Sequence, residues 1–138
     1  MPQICWWPGR IVAGKVTDQV CITMDLTAAC LAAAGVAAAP TYQLDGHDLL
    51  PVLTGQAPTS ERTLYWRMGA QMAVRQGDWK LVRYDRHADP GQGVSRKTGA
   101  AEIVGPKLYN LAQDIGESHD LSAQDPDKVQ ELKAVWQK

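Results

Sequence analysis

The sequence predicts an α+β fold, and three observations carry that prediction. The stretches from Leu64 to Arg67, Ala70 to Arg75 and Trp79 to Tyr84 are apolar-rich with period-2 character, the alternation of strands that bury one face. Gln76-Gly77-Asp78 joins the last two as a hairpin turn, with Gly77 supplying a positive φ, so an antiparallel meander is expected. Near the end of the chain, Asp125-Pro126 opens a segment in which Val129, Leu132 and Trp136 recur at helical spacing on one face.

The remaining elements follow in chain order. Ile4 to Trp7, within Pro2-Gln3-Ile4-Cys5-Trp6-Trp7-Pro8-Gly9-Arg10, reads as a short buried strand closed by the Pro8-Gly9 turn. That apolar block stands directly behind Met1 with no lead-in, so a chain cut from something larger is expected. Arg10 to Val20 reads as a connection. From Thr23 the pattern is helical, with Leu26, Cys30, Leu31 and Ala34 on one face and small alanines around them. Thr23 or Asp25 is expected to cap this helix and Gly35 to end it. Asp45-Gly46 is a turn, and Asp48 can cap a short helix whose Leu49, Leu50 and Leu53 pack inward until Gly55. Gln56 to Glu61 reads as a polar loop, residues 86–102 as a mobile one, and Lys107 to Leu111 as a fourth strand.

Composition excludes several function classes. The 138 residues carry 14 Lys and Arg against 15 Asp and Glu, for a net charge of −1. That balance provides no electrostatic footprint for nucleic acid or an anionic membrane surface. The longest apolar stretch, from Ala28 to Ala39, is about 12 residues, short of the roughly 20 that cross a bilayer. Cys5, Cys21 and Cys30 lie in no spacing that suggests zinc, and all three are expected to be buried structural thiols.

Candidate chemistry is sparse. No glycine-rich phosphate loop is present. The carboxylate pairs Asp45 with Asp48 and Asp114 with Glu117 lack the frame of a calcium loop and read as turn and cap residues. Of the histidines, His47 follows a turn, His87 lies in the expected loop and His119 in a polar turn; solvated or locally bonded roles suit all three. Trp66, Arg67 and Arg75 on the meander are different in kind, because an aromatic with two guanidinium groups could receive an anionic or sugar ligand. Against that stands ordinary strand packing with solvated arginine ends.

The ordered motifs nevertheless carry a resemblance. Pro2-x-Ile4-x-x-Trp7-Pro8-Gly9, Asp25-Leu26 opening a helix that ends at Ala34-Gly35, and Leu44-Asp45-Gly46-x-x-Leu49-Leu50-Pro51-x-Leu53-x-Gly55 resemble the C-terminal part of the sulfatases. Arg62-x-Leu64-Tyr65-Trp66, Ala73-Val74-Arg75-x-Gly77-Asp78-Trp79-Lys80-Leu81 and Leu108-Tyr109-Asn110-Leu111-x-x-Asp114-x-x-Glu117 continue the same order. Ala28-Ala29 departs from the Pro-Thr pair common in the family, which touches helix entry more than chemistry.

The resemblance implies that residues 1–57 are the remnant of a large α/β domain, with a strand, a linker and helices. It implies that residues 58–138 are a C-terminal subdomain, a sheet of about four antiparallel strands packed on the terminal helix. It also implies calcium and a formylglycine nucleophile for the intact parent only. The nucleophile's Cys/Ser-x-Pro-x-Arg frame and the Asp-Asp and Asp-Asn ligand pairs do not occur in this chain, so no catalytic and no metal residue is assigned. His47, Trp66 and Arg67 remain as candidates for the rim of the substrate pocket. The implied partner is the missing N-terminal catalytic domain. The rival reading is a stand-alone module derived from a sulfatase that binds another protein, or itself, through exposed apolar surface.

Overall fold

The computed structural model describes residues 2–37, 41–85 and 103–137. The chain folds as two compact units, Met1–Glu61 and Arg62–Lys138. The loop expected over residues 86–102 lies outside the described residues.

The second unit is a four-stranded antiparallel sheet in the order β1-β2-β3-β4, with β1 Thr63–Met68, β2 Gln71–Gln76, β3 Trp79–Asp85 and β4 Ile103–Asn110. Each of the first two hairpins turns on a glycine, Gly69 at φ +60° and Gly77 at φ +57°, a conformation that costs a side-chain-bearing residue more. The register pairs Tyr65 with Val74, Val74 with Leu81 and Leu81 with Leu108 across the sheet. Opposed residues share a face, so this row presents an apolar stripe to one side. A register shift between Val82 and Tyr84 interrupts the β3–β4 ladder.

Onto the stripe packs α3, Pro126–Trp136. Its start follows the sequence closely: Asp125 accepts a hydrogen bond from the Lys128 N–H at 3.0 Å, and Pro126 occupies the first turn, where its missing N–H has no cost. Val129 and Leu132 join Val74, Leu81 and Leu108 in a buried core, flanked by Trp79, Leu121, Val135 and Trp136. The Tyr65 ring meets Trp136 at a centroid distance of 6.0 Å and a tilt of 57°. The segment between β4 and α3 is tied back to the sheet through Leu108, whose N–H donates to Asp120 Oδ1 at 3.2 Å and whose carbonyl accepts from the Leu121 N–H at 2.8 Å.

The first unit holds α1, Met24–Ala33, and the single turn α2, Leu50–Leu53. Gly35, at φ +68°, ends α1: its N–H donates to the Ala32 carbonyl and that of Val36 to the Leu31 carbonyl, a Schellman pair. Which face of α1 turns inward differs from the expectation. Ala28, Ala29 and Asp25 are buried, whereas Leu26 and Cys30 are exposed. The anchor is Asp25, 0 % exposed, whose carboxylate accepts the N–H of Ile22 at 2.8 Å and of His47 at 2.9 Å. A nearly uniform apolar helix has no stripe to orient it, so this buried carboxylate sets the rotation. The expectation of three buried cysteines fails with it: that rotation leaves Cys30 exposed, and Cys5 and Cys21 are half-buried.

Two further contacts organise this unit. Gly46 lies against the first turn of α1 so closely that a Cβ there would stand 2.1 Å from the Met24 carbonyl oxygen. The Gln19 side-chain amide clamps the Ser60 backbone, accepting its N–H at 2.8 Å and donating to its carbonyl at 3.1 Å.

Ile4 to Trp7, expected as a strand, is neither strand nor helix. A strand persists through its ladder partners, and none pairs with this segment among the described residues. Ile4 and Trp6 are consequently 94 % and 86 % exposed. The Pro8-Gly9 turn itself forms, with the Arg10 and Ile11 N–H groups donating to the Trp7 carbonyl.

Candidate substrate-rim residues

The three residues singled out by sequence occupy different settings. His47 belongs to the first unit, directly after Gly46. Its main-chain N–H is fixed on Asp25, and the residue is otherwise exposed. Trp66 and Arg67 are neighbours on β1, an edge strand, and both are exposed.

Adjacency in a strand separates side chains rather than joining them, because successive residues point to opposite faces. Arg67 shares the parity of Tyr65, which contacts α3, so Arg67 leaves on the helix side. Trp66 leaves on the other face, in a row that runs Trp66, Ala73, Val82, Lys107. Trp66 and Arg67 therefore do not close on one ligand group. Arg75 shares the Trp66 face one row away, but its Nε donates to the Gly77 carbonyl at 3.0 Å and so braces the hairpin turn.

The polar groups that share this face with Trp66 are not among the candidate rim residues, although Lys80 and Tyr109 lie within the ordered motifs. Lys80 pairs with Glu117 at 2.5 Å. Lys107 stands 5.4 Å from the Tyr84 ring centroid. Hydrogen bonding to Tyr84, with the Tyr109 charge in support, pushes the Lys107 ammonium above its ordinary pKa, and burial pushes the Tyr109 phenol up. The strand register places Lys80, Lys107 and Tyr109 together, and only a correct pairing of β3 with β4 could have revealed it.

The polar turn after β4 is fastened by its carboxylates. Asp114 Oδ2 accepts the N–H groups of Ser118 and His119, each at 2.7 Å, and the His119 ring lies at 3.4 Å. The His119 N–H is the main reason the Asp114 carboxyl is held below the usual range. For Asp120, burial pushes the pKa up, but donors from Ser122 and Leu108 outweigh it and leave the carboxyl below its ordinary value. Both carboxylates close turns. Among the described residues no group of three or more His, Cys, Asp or Glu side chains is placed to hold a metal ion.

No protein-family profile matches the chain. Individual relatives do. The chain is 34% identical over 148 residues to N-acetylgalactosamine-6-sulfatase of Canis lupus familiaris, covering 97% of the chain and 28% of that protein. Human arylsulfatase A is 32% identical over 151 residues, covering 97% of the chain and 29% of that protein. This chain is homologous to the C-terminal part of the sulfatases. It thus spans a little over a quarter of the length of these curated sulfatases.

Solved structures agree on the fold. One, described as Ps i-CgsB, superposes with a TM-score of 0.58 at 22% identity over 93% of the sulfatase-like chain and 27% of its own. Another, from work on glycosaminoglycan metabolism by Bacteroides thetaiotaomicron, gives a TM-score of 0.56 at 20% identity over 82% and 23%.

Proposed function

We propose that this chain serves as the C-terminal part of a sulfatase, a sulfuric ester hydrolase, with a structural and pocket-shaping role and no hydrolytic activity of its own. The observation that carries the reading is the alignment with N-acetylgalactosamine-6-sulfatase, which takes in 97% of this chain and 28% of that protein. The chain's residues do not fit the chemistry of the intact enzyme: the formylglycine frame is missing from the sequence, and so are the Asp-Asp and Asp-Asn pairs that would hold calcium. Both groups belong, on this reading, to an N-terminal catalytic domain that is the chain's natural partner. No chemical step is therefore assigned to residues here.

What this chain contributes is a sheet that presents side chains. Trp66 offers an apolar ring to a sugar or aryl group on one face of that sheet and Arg67 a cation on the other, while His47, in the first unit, offers an imidazole on a backbone fixed by Asp25. Assay of the purified chain with an aryl sulfate, alone and with a separately prepared sulfatase catalytic domain, tests the proposal. The expected result is no turnover by the chain alone; turnover without added domain overturns it. In an active complex, Trp66→Ala should raise KM with little change in kcat, the pattern of lost ground-state binding.

Exposure of Ile4 at 94 % and Trp6 at 86 % favours a second reading, a self-associating module derived from a sulfatase. Sedimentation at micromolar concentration separates the two, since a strictly monomeric chain rules out self-association in that range.

A further inference from the structure

Gln3 stands between two thiols. Its Nε2 donates to Cys5 Sγ across 3.8 Å, and its Oε1 accepts from Cys21 Sγ at 3.3 Å. Both cysteines are free, half-buried and within the first unit, whereas Cys30 is free and exposed on α1. One carboxamide is thus the shared neighbour of two sulfurs far apart in sequence. Gln3 itself is an exposed side chain, and rotation about its χ angles withdraws the group both sulfurs contact.

The two segments differ in freedom. Cys21 stands just ahead of α1, beside Ile22, whose N–H is held by the buried Asp25. Cys5 belongs to residues 2–7, which form no helix or strand, so no helical or ladder hydrogen bonds fix it. A disulfide requires Cα atoms within roughly 4.4–6.8 Å, and the less constrained partner supplies the approach.

We propose that Cys5 and Cys21 form a redox clip that ties the Ile4 to Trp7 segment covalently to the base of α1. The oxidant is a small-molecule disulfide of the glutathione class. The thiolate of one cysteine attacks a sulfur of the oxidant, forming a mixed disulfide and releasing one small thiol. The second cysteine then attacks the protein-side sulfur of that bond and releases the other. The two protein thiols together lose two protons and two electrons, and the small disulfide is reduced to two thiols. The closed loop contains the Trp7-Pro8-Gly9 turn, so the bond restricts the unfolded chain and holds the segment that carries Trp6 and Trp7 in place.

Equilibrating the full chain in reduced and oxidised glutathione, followed by non-reducing digestion and mass mapping, tests the clip. Expected are a Cys5–Cys21 cross-linked peptide, an intact mass lower by two hydrogens at these residues, and a thermal midpoint that rises on oxidation and returns with dithiothreitol. Cys30→Ser should keep the cross-link. Cys5→Ser and Cys21→Ser should each abolish it while matching the reduced wild type in circular dichroism. Recovery of Cys5 and Cys21 as separate glutathione adducts overturns the proposal, as does their pairing with Cys30 or between chains. Persistence of both as free thiols in a buffer that modifies Cys30 overturns it too.

Discussion

Gly46 leaves no space for even a methyl group, because the atoms an added Cβ would strike are all backbone: the Met24 carbonyl oxygen and carbon and the Asp25 nitrogen. Gly46→Ala must push the turn off α1 and with it the His47 N–H that the Asp25 carboxylate accepts. Strain and a weakened buried hydrogen bond together should cost about 2 kcal/mol or more in urea unfolding. Asp120 makes a prediction in pH. Its folded pKa is depressed, so its contribution is present above the unfolded value of about 3.9 and is lost as pH falls through the lower folded value. Asp120→Asn should therefore flatten the loss of stability below about pH 4 relative to wild type, read as the urea midpoint at each pH. An equal acid limb in both proteins would remove Asp120 from the account.

At the scale of elements, α3 shows what sequence makes legible. Its cap, its leading proline and its apolar stripe agree, and the structure follows all three. Asp125→Ala should cost about 1 kcal/mol through the lost cap, and Leu132→Ala, in a side chain 1 % exposed, about 2–5 kcal/mol through lost burial and cavity formation. Chemical denaturation orders the two. The meander is equally readable, since period-2 segments and glycine turns are local signals. By contrast, the inward face of α1 is not legible: Met-Asp-Leu-Thr-Ala-Ala-Cys-Leu-Ala-Ala is apolar on nearly every side, and a single buried carboxylate bonded to a distant turn decides its rotation. Ile4 to Trp7 misleads for a related reason, because apolar content gives strand propensity while the ladder that realises it is non-local. The candidate rim suffers from the same limit. Trp66 and Arg67 are consecutive in sequence, yet strand geometry sends them to opposite faces, and Trp66's actual neighbours are set by register.

Taken whole, the chain holds two units of unequal internal packing. The second has a contiguous buried core of Val74, Leu81, Leu108, Val129 and Leu132, whereas burial in the first rests on Asp25, Ala28, Ala29 and Leu49. Native-state hydrogen exchange should accordingly find the slowest amides in β2, β3 and α3, with those of α1 and α2 exchanging orders of magnitude faster. Comparable protection in both units would contradict that picture. Kinship with sulfatases is legible because short motifs in a fixed order survive where any single one is weak. Glu117, finally, adopts φ +54°, a left-handed conformation that costs a residue with a Cβ roughly 1–2 kcal/mol and suits glycine or asparagine better. The Lys80 ammonium, 37 positions away, holds its carboxylate at 2.5 Å. The two positions should therefore covary through descent: lineages that place glycine at 117 release position 80 from carrying a cation, and lineages that keep glutamate retain it.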